Sequence, residues 1–491
     1  MGKPIIYQIL PRLWGEGRMS SIDTPSLDYF KSLGVTHIWY TGIIRHSCGQ
    51  PFVKGRPGSP YAISDYYDIN PYLADVEKER MLEFESLVRR THGAGLKLVL
   101  DFVPNHVGRD YGRERVRTDI PYLGDQDDTS IHWKADNDFY YYPGSRLHLP
   151  DGSFYDEFPA KATGNCFTPA PGRDDWYDTV RLNYCDFHTG TWDKMRDILL
   201  FWAGKGVDAF RCDMVEMVPR EFFIWAIKEV KTQFPNIQFI AEVYRKEDYR
   251  LWADAGFDFL YDKCGLYDTV RAIVERQAGQ SGAWGSARGI TANWQYLDGL
   301  QPRMLHFLEN HDEQRFASPF FGGSGSRTFA PLCASLLFNK AAFMVYFGEE
   351  TGEKAAESDN GRTSIFDIAR IPSLQRLCAF ARTGEGLSPE EAALQTRFAR
   401  LLRLAGDPLY SEGSTFDLGY CNGPDGGFDP ECHFAFLRSL EGRNALVFCN
   451  FSPVSASVTL TIPEHARCIG AHPGQVTVSA DAFDAAIQEY L

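Results

Sequence analysis

The sequence predicts an α/β chain folded as a (β/α)8 TIM barrel, with an inserted domain after the third strand and a C-terminal antiparallel β-sandwich domain. Three observations carry that reading. Short apolar runs alternate with helix-period segments over the first four-fifths of the chain, which is the pattern of repeated β-then-α units around a parallel sheet. One connection, rich in Gly, Pro, Asp and Tyr, is far longer than the rest. The tail then changes to short alternating strands.

The runs proposed as barrel strands are PIIYQIL (4–10), VTHIWY (35–40), LKLVLDFV (96–103), VDAFRCD (207–213), IQFIAEV (237–243), FDFLYD (257–262), MLHFLEN (304–310) and AFMVYFG (342–348). Each is too continuously apolar for a half-exposed strand and suits a sheet covered on both faces. Helix signals lie between them. PSLDYFKSLG has Pro25 near its start and Gly34 at its stop, and ERMLEFESLVRRTHGAG ends in Gly93 and Gly95. The segment from Gly108 to Asp186, with stretches such as YYYPGSRLHLPDGSFYDEFPAKATGNC, reads as a small ordered insertion. After the helical stretch LSPEEAALQTRFARLLRLAG come HFAFLRSL, NALVFCNFS and ASVTLTIP, the strands of a β module. The expected division is 1–107 and 187–408 for the barrel, 108–186 for the insertion and 409–491 for the β domain.

Composition narrows the function. A formal charge of −15, without a compensating basic run, argues against a nucleic-acid partner. No run reaches the ~18 uninterrupted apolar residues of a membrane span. Eleven cysteines without a CxxC pair indicate neither a disulfide framework nor a zinc knuckle, and read as reduced thiols. The opening MGKPIIYQILPRLWGEG has no secretory h-region, so a cytoplasmic location is expected.

Active sites of such barrels gather at the C-terminal ends of the strands, so the polar residue ending each apolar run is informative. Strand three ends in Asp101-Phe-Val-Pro-Asn105-His106, strand four in Arg211-Cys-Asp213, strand five in Glu242, and strand seven in Glu309-Asn310-His311-Asp312. Any one of these carboxylates read alone is an N-cap or a solvated loop residue. Together they place several carboxylates, an arginine and two histidines at one mouth. Arg211 and Asp213, two apart on a strand, share a face, and a guanidinium there is expected to lower the Asp213 pKa. Glu242, among other negative charges in a semi-enclosed site, is expected to have a raised pKa. Retaining glycoside cleavage needs such a pair, one carboxylate ionised and one protonated, about 5–5.5 Å apart. Neighbouring parallel strands, about 4.8 Å apart, can supply it.

The segments DFVPNHV (101–107), GVDAFRCD (206–213), FIAEV (239–243) and FLENHD (307–312) resemble the four signature regions of the α-amylase superfamily of glycoside hydrolases, glycoside hydrolase family 13. The opening IIYQILPRLW, the segment SPYAISDYYDINP, VYFGEE at the eighth strand and the β-rich tail extend the resemblance over nearly the whole chain. It implies Asp213 as nucleophile, Glu242 as acid/base and Asp312 as the third carboxylate that steadies the transition state. Arg211 would orient Asp213, His106 and His311 would bind the sugar of the cleaved subsite, and Tyr61 would stack beneath it. Many members hold a structural Ca2+, and Asn105 matches one of its ligands. One Asn falls well short of the six to eight oxygens that Ca2+ takes, and no cofactor is required.

The sequence departs from typical α-amylases just beyond the nucleophile, with Met214, Glu216 and Met217, where Glu216 and Met217 stand in place of a Lys-His pair. The implied activity is hydrolysis of α-linked gluco-oligosaccharides or α-glucans through a covalent glycosyl-aspartate, with an α-glucan or malto-oligosaccharide as the substrate. Two alternatives stay open. A transglycosylase of glucanotransferase type shares the same intermediate, and a non-catalytic glucan-binding relative would keep the fold but commonly lose carboxylates that are all present here.

Overall fold

The computed structural model describes residues 2–280 and 282–490. Eight parallel strands close into a barrel: β1 (Ile5–Ile9), β2 (His37–Tyr40), β3 (Lys97–Phe102), β4 (Ala209–Cys212), β5 (Gln238–Ala241), β6 (Phe259–Tyr261), β7 (Met304–Phe307) and β8 (Ala342–Tyr346). Closure is made by β1, which pairs with β2 on one side and β8 on the other. The strands are buried along almost their whole length, which is why they read as unbroken apolar runs.

Local chemistry sets the helix ends. The helix Thr24–Ser32 starts on Asp23, whose side chain accepts from the Ser26 N–H, and has Pro in its first turn. The chain leaves it through Gly34 at φ 88°, a left-handed conformation that glycine takes without steric cost. The long helix Pro389–Ala405 opens on a capping box, Ser388 with Glu391. Among the described residues, no helix is long and apolar enough to cross a membrane.

Between β3 and the helix Gly190–Gly204 the chain forms short two-stranded pieces, His106–Gly108 with Thr179–Arg181 and Tyr141–Tyr142 with Ala160–Lys161. A small apolar cluster of Leu147, Leu149, Tyr155 and Ala160 orders this segment, and Phe52, from the loop after β2, completes it.

The tail forms an antiparallel sheet of β9 (Ser414–Asp417), β10 (His433–Leu440), β11 (Arg443–Asn450) and β14 (Asp484–Tyr490), with the hairpin β12 (Ala456–Ile462) and β13 (Gly474–Ala480) beside it. Leu437, Leu446, Phe448, Val458 and Leu460 share a core of their own between these two sheets. On the other face, Phe434 and Phe436 pack their rings on Phe338, so the tail is bonded to the barrel through apolar contact.

Candidate active site

The mouth of the barrel opens into a cavity of about 450 Å³, and Tyr61, His106, Asp213, Glu242, His311 and Asp312 all line it. Arg211 lies beneath its floor, fully buried. Register puts Arg211 beside Asp101 across the β3–β4 pair. Its guanidinium stands 2.7 Å from Asp213 Oδ1, 2.6 Å from Glu242 Oε1 and 3.5 Å from Asp101 Oδ1, with the rings of Trp39, Tyr61 and Tyr261 around it. One cation therefore serves three carboxylates in a water-poor setting, where its field is strong. Asp101, at the end of β3, also accepts from Trp39 Nε1 at 2.9 Å.

These surroundings set the protonation states. Burial raises the Glu242 pKa to about 7; Arg211 opposes the rise, and Asp213 and Asp312 add to it. Asp213 differs from the sequence expectation. Burial outweighs Arg211, so its pKa lies above the ordinary carboxylate value instead of below it. A strand pattern reveals the guanidinium two residues away but not the depth at which both groups sit. For Asp312, burial acting alone would raise the pKa, but His311 and then Arg211 bring it down to about 2. His311 responds in the opposite sense: burial would lower it, and the Asp312 carboxylate lifts it above its ordinary value. Burial holds His106 down at about 4, hence neutral at pH 7.

The side chains are held in place from behind. His311 Nδ1 meets the Gln8 amide of β1 at 2.8 Å, and its Nε2 faces Tyr61 Oη at 2.6 Å and Asp312 Oδ2 at 3.0 Å. The Tyr61 ring stacks on the His311 ring, with centroids 5.2 Å apart and planes 23° apart. Asn310 Oδ1 accepts from the Asp312 and Glu313 N–H groups and shapes the turn that presents His311 and Asp312. Glu309 turns away from the cavity into an ion pair with Arg315 at 2.9 Å.

The unusual residues after Asp213 have local roles. Met214 sits in the left-handed region, at φ 45° and ψ 46°, a conformation that costs a non-glycine residue about 1 kcal/mol or more. That turn aims its N–H at Glu242 Oε2, 2.8 Å away. The Glu216 carboxylate accepts from the N–H groups of both Tyr244 and Arg245, at 3.0 Å each, and ties the turn after β4 to the one after β5. Tyr244 Oη in turn donates to Glu242 Oε1 at 3.0 Å.

Asn105 lies behind the cavity. Its Nδ2 donates to the Gly164 carbonyl at 2.9 Å, and Arg181 Nη1 donates to the same oxygen at 3.1 Å. Asn105 thus spends its amide N–H groups on the protein, and its Oδ1 would be a single one of the six to eight oxygens that Ca2+ takes. Among the described residues, no group of three or more His, Cys, Asp or Glu side chains is placed to hold a metal ion.

Several cavity residues carried no sequence signal that singled them out: Lys54 from the loop after β2, Trp176 from the insertion, Tyr244 after β5, and Arg362, Ile365 and Phe366 from the loop after β8. Gln8 did leave a trace, as the one amide within the apolar run PIIYQIL.

A closed parallel barrel with carboxylates, histidines and a buried arginine at the C-terminal mouth defines the class of barrel glycosidase-type proteins. Residues 15–249 match the model of the α-amylase catalytic domain. α-Amylase 3 of Dictyoglomus thermophilum is 25% identical over 380 residues, covering 72% of this chain and 65% of that protein. The α-1,4-glucan:maltose-1-phosphate maltosyltransferase of Picrophilus torridus is 26% identical over 258 residues, 49% of this chain and 33% of that one. The chain thus spans about a third to two thirds of these curated relatives. The crystal structure of a maltogenic α-amylase, AmyB of Thermotoga neapolitana, superposes with a TM-score of 0.66 at 22% identity, covering 99% of this chain and 96% of that chain. Over residues 15–249 the chain is thus similar to the α-amylase catalytic domain, and over nearly its whole length it has the fold of that α-amylase crystal structure.

Proposed function

We propose that this protein hydrolyses α-linked gluco-oligosaccharides or α-glucans with retention of configuration. In this reading an Asp213 oxygen attacks C1 of the bound sugar while Glu242 gives its proton to the glycosidic oxygen, which departs as the hydroxyl of the leaving chain. The Glu242 carboxylate then takes a proton from water, whose oxygen attacks C1 and frees Asp213. Asp312, ionised over the accessible pH range, would steady the positive charge that develops on the ring. Tyr61, His106 and His311 would hold the sugar in the cleaved subsite, and Arg211 would orient Asp213.

The observation that carries the reading is the single buried guanidinium bridging Asp213 and Glu242, with Glu242 raised to about 7 and so able to serve as an acid near neutrality. The presence of all three carboxylates supports an enzyme over a binding-only relative. The eleven cysteines, all unpaired, support a reducing compartment such as the cytoplasm.

The likeness to a maltosyltransferase favours a second reading, in which a glucan takes the place of water as acceptor. Incubation with maltotriose separates the two. Release of free glucose without longer products is expected for the hydrolase, whereas accumulation of longer oligomers without matching glucose release would establish the transferase.

A further inference from the structure

Tyr244 reaches the barrel mouth from a turn that the loops on either side hold. Its N–H and that of Arg245 both donate to the Glu216 carboxylate, at 3.0 Å each, and Glu216 lies in the turn after β4. Its carbonyl accepts from Cys264 Sγ, in the π-helical turn Lys263–Tyr267 after β6. Its hydroxyl donates to Glu242 Oε1 at 3.0 Å. The main chain of Tyr244 is thus pinned at both its donor and its acceptor, and the phenol extends from that fixed point to the carboxyl group that ends β5.

Glu216 also belongs to the turn that supplies the other contact. Met214, two residues before it, gives its N–H to Glu242 Oε2 at 2.8 Å, and the Met217 N–H closes the turn on the Met214 carbonyl at 3.0 Å. One side chain therefore fastens the turn carrying one donor to Glu242 to the turn carrying the other. Both Glu216 oxygens accept, the arrangement of an ionised carboxylate. The charges that face it, Arg245 and Asp248, pair with each other at 2.8 Å, and the Cys264 thiol lies nearby. Around Glu242 the charged groups are Arg211, Asp213 and Asp312. Glu216 is half buried and lies outside the cavity lining, so it acts on Glu242 through these turns or through its charge. The two routes have opposite signs. A nearby negative charge disfavours ionisation of Glu242, whereas a donor held against the carboxylate favours it.

We propose, on the hydrolytic reading above in which Glu242 gives and takes the proton, that Glu216 is a positioning residue for Glu242, holding Tyr244 so that its hydroxyl stays on the carboxylate.

The test follows the rate of glucose release from maltotriose against pH in the wild type, Glu216→Gln, Glu216→Asp, Tyr244→Phe and the double variant Glu216→Gln with Tyr244→Phe, with folding checked by circular dichroism. Gln keeps the length of Glu but turns an amide N–H2 towards one of the two N–H groups. Asp keeps the charge but is one methylene short. In both, the alkaline limb of kcat/KM should move to higher pH, by up to about one unit, which is the full loss of the Tyr244 donor. In Tyr244→Phe, which has no hydroxyl left to misplace, Glu216→Gln should move the limb less than about half as far. A limb that stays in place in the single variants, that falls to lower pH in Glu216→Gln as loss of a charge requires, or that moves equally far with and without the Tyr244 hydroxyl overturns the positioning role and leaves the hydrolase intact. A wild type that releases no glucose, or whose rate shows no alkaline limb, overturns the hydrolytic reading and this role together. Gln and Asp disturb the contact in different ways, so either variant that folds decides the matter.

Discussion

Replacing Tyr244 by Phe removes one hydroxyl and little else, which makes it a sharp probe of Glu242. The phenol oxygen lies 3.0 Å from Glu242 Oε1 and donates to it. A donor to a carboxylate favours its charged form, so losing the donor raises the carboxyl pKa. Hydrogen bonds to charged groups contribute about 1.5–3 kcal/mol, and the lower end suits Tyr244, which is only half buried. At 1.36 kcal/mol per unit, about 1.5 kcal/mol corresponds to about one pKa unit. In the proposed mechanism Glu242 acts as an acid only while protonated, and its starting value is about 7. Activity therefore falls as pH rises through that value, and in Tyr244→Phe the fall should come about one pH unit later. The assay is kcat/KM for a nitrophenyl α-maltoside as a function of pH, which reports the acid and base of the free enzyme. An alkaline limb that stays in place, or moves to lower pH, would refute the reasoning, because either result means that the phenol does not stabilise the ionised carboxylate.

Other consequences are as direct. Asp213→Asn should lower kcat by about 10⁴-fold or more while leaving maltotriose binding within about tenfold by calorimetry; retained turnover would remove Asp213 from the role of nucleophile. Since Asn105 alone offers one oxygen where Ca2+ takes six to eight, a chelator should leave the melting temperature unchanged; Arg181 and Asn105 both donate to the Gly164 carbonyl, and Arg181→Gln should cost about 1–2 kcal/mol of stability in a denaturant titration. A chelator-induced drop in melting temperature that added Ca2+ restores would overturn that assignment.

What the sequence disclosed follows from how burial writes itself into a chain. The barrel strands were legible because both faces of a closed parallel sheet are covered, so each strand is an apolar run and its first polar residue marks the mouth. Arg211 and Asp213 were legible as neighbours because strand side chains alternate. The balance of forces on Asp213 was not, since the depth of a site depends on every element around it. Lys54, Trp176, Arg362 and Phe366 come from irregular loops, and no periodicity states where such a segment will meet another about 310 residues away. Gly55 illustrates the point: in the sequence it is one glycine of a polar loop, and only the fold sets it where a methyl group would overlap the Phe366 carbonyl oxygen. Glu216 stood out as a departure, and its pairing with two backbone N–H groups of the next strand's turn gives that departure a structural reason.

The sharing of Arg211 among Asp101, Asp213 and Glu242 bears on inhibition. A sugar mimic carrying a protonated amine near the anomeric position would bring a second positive charge to carboxylates that otherwise divide one guanidinium. A neutral mimic of the same shape would bring the contacts without the charge. Because Glu242 gains its own negative charge as pH rises through about 7, the preference for the cationic mimic should grow across that interval, as long as the amine keeps its proton. A site so built would select inhibitors by charge as well as by shape, and the pH of the assay would set how strongly.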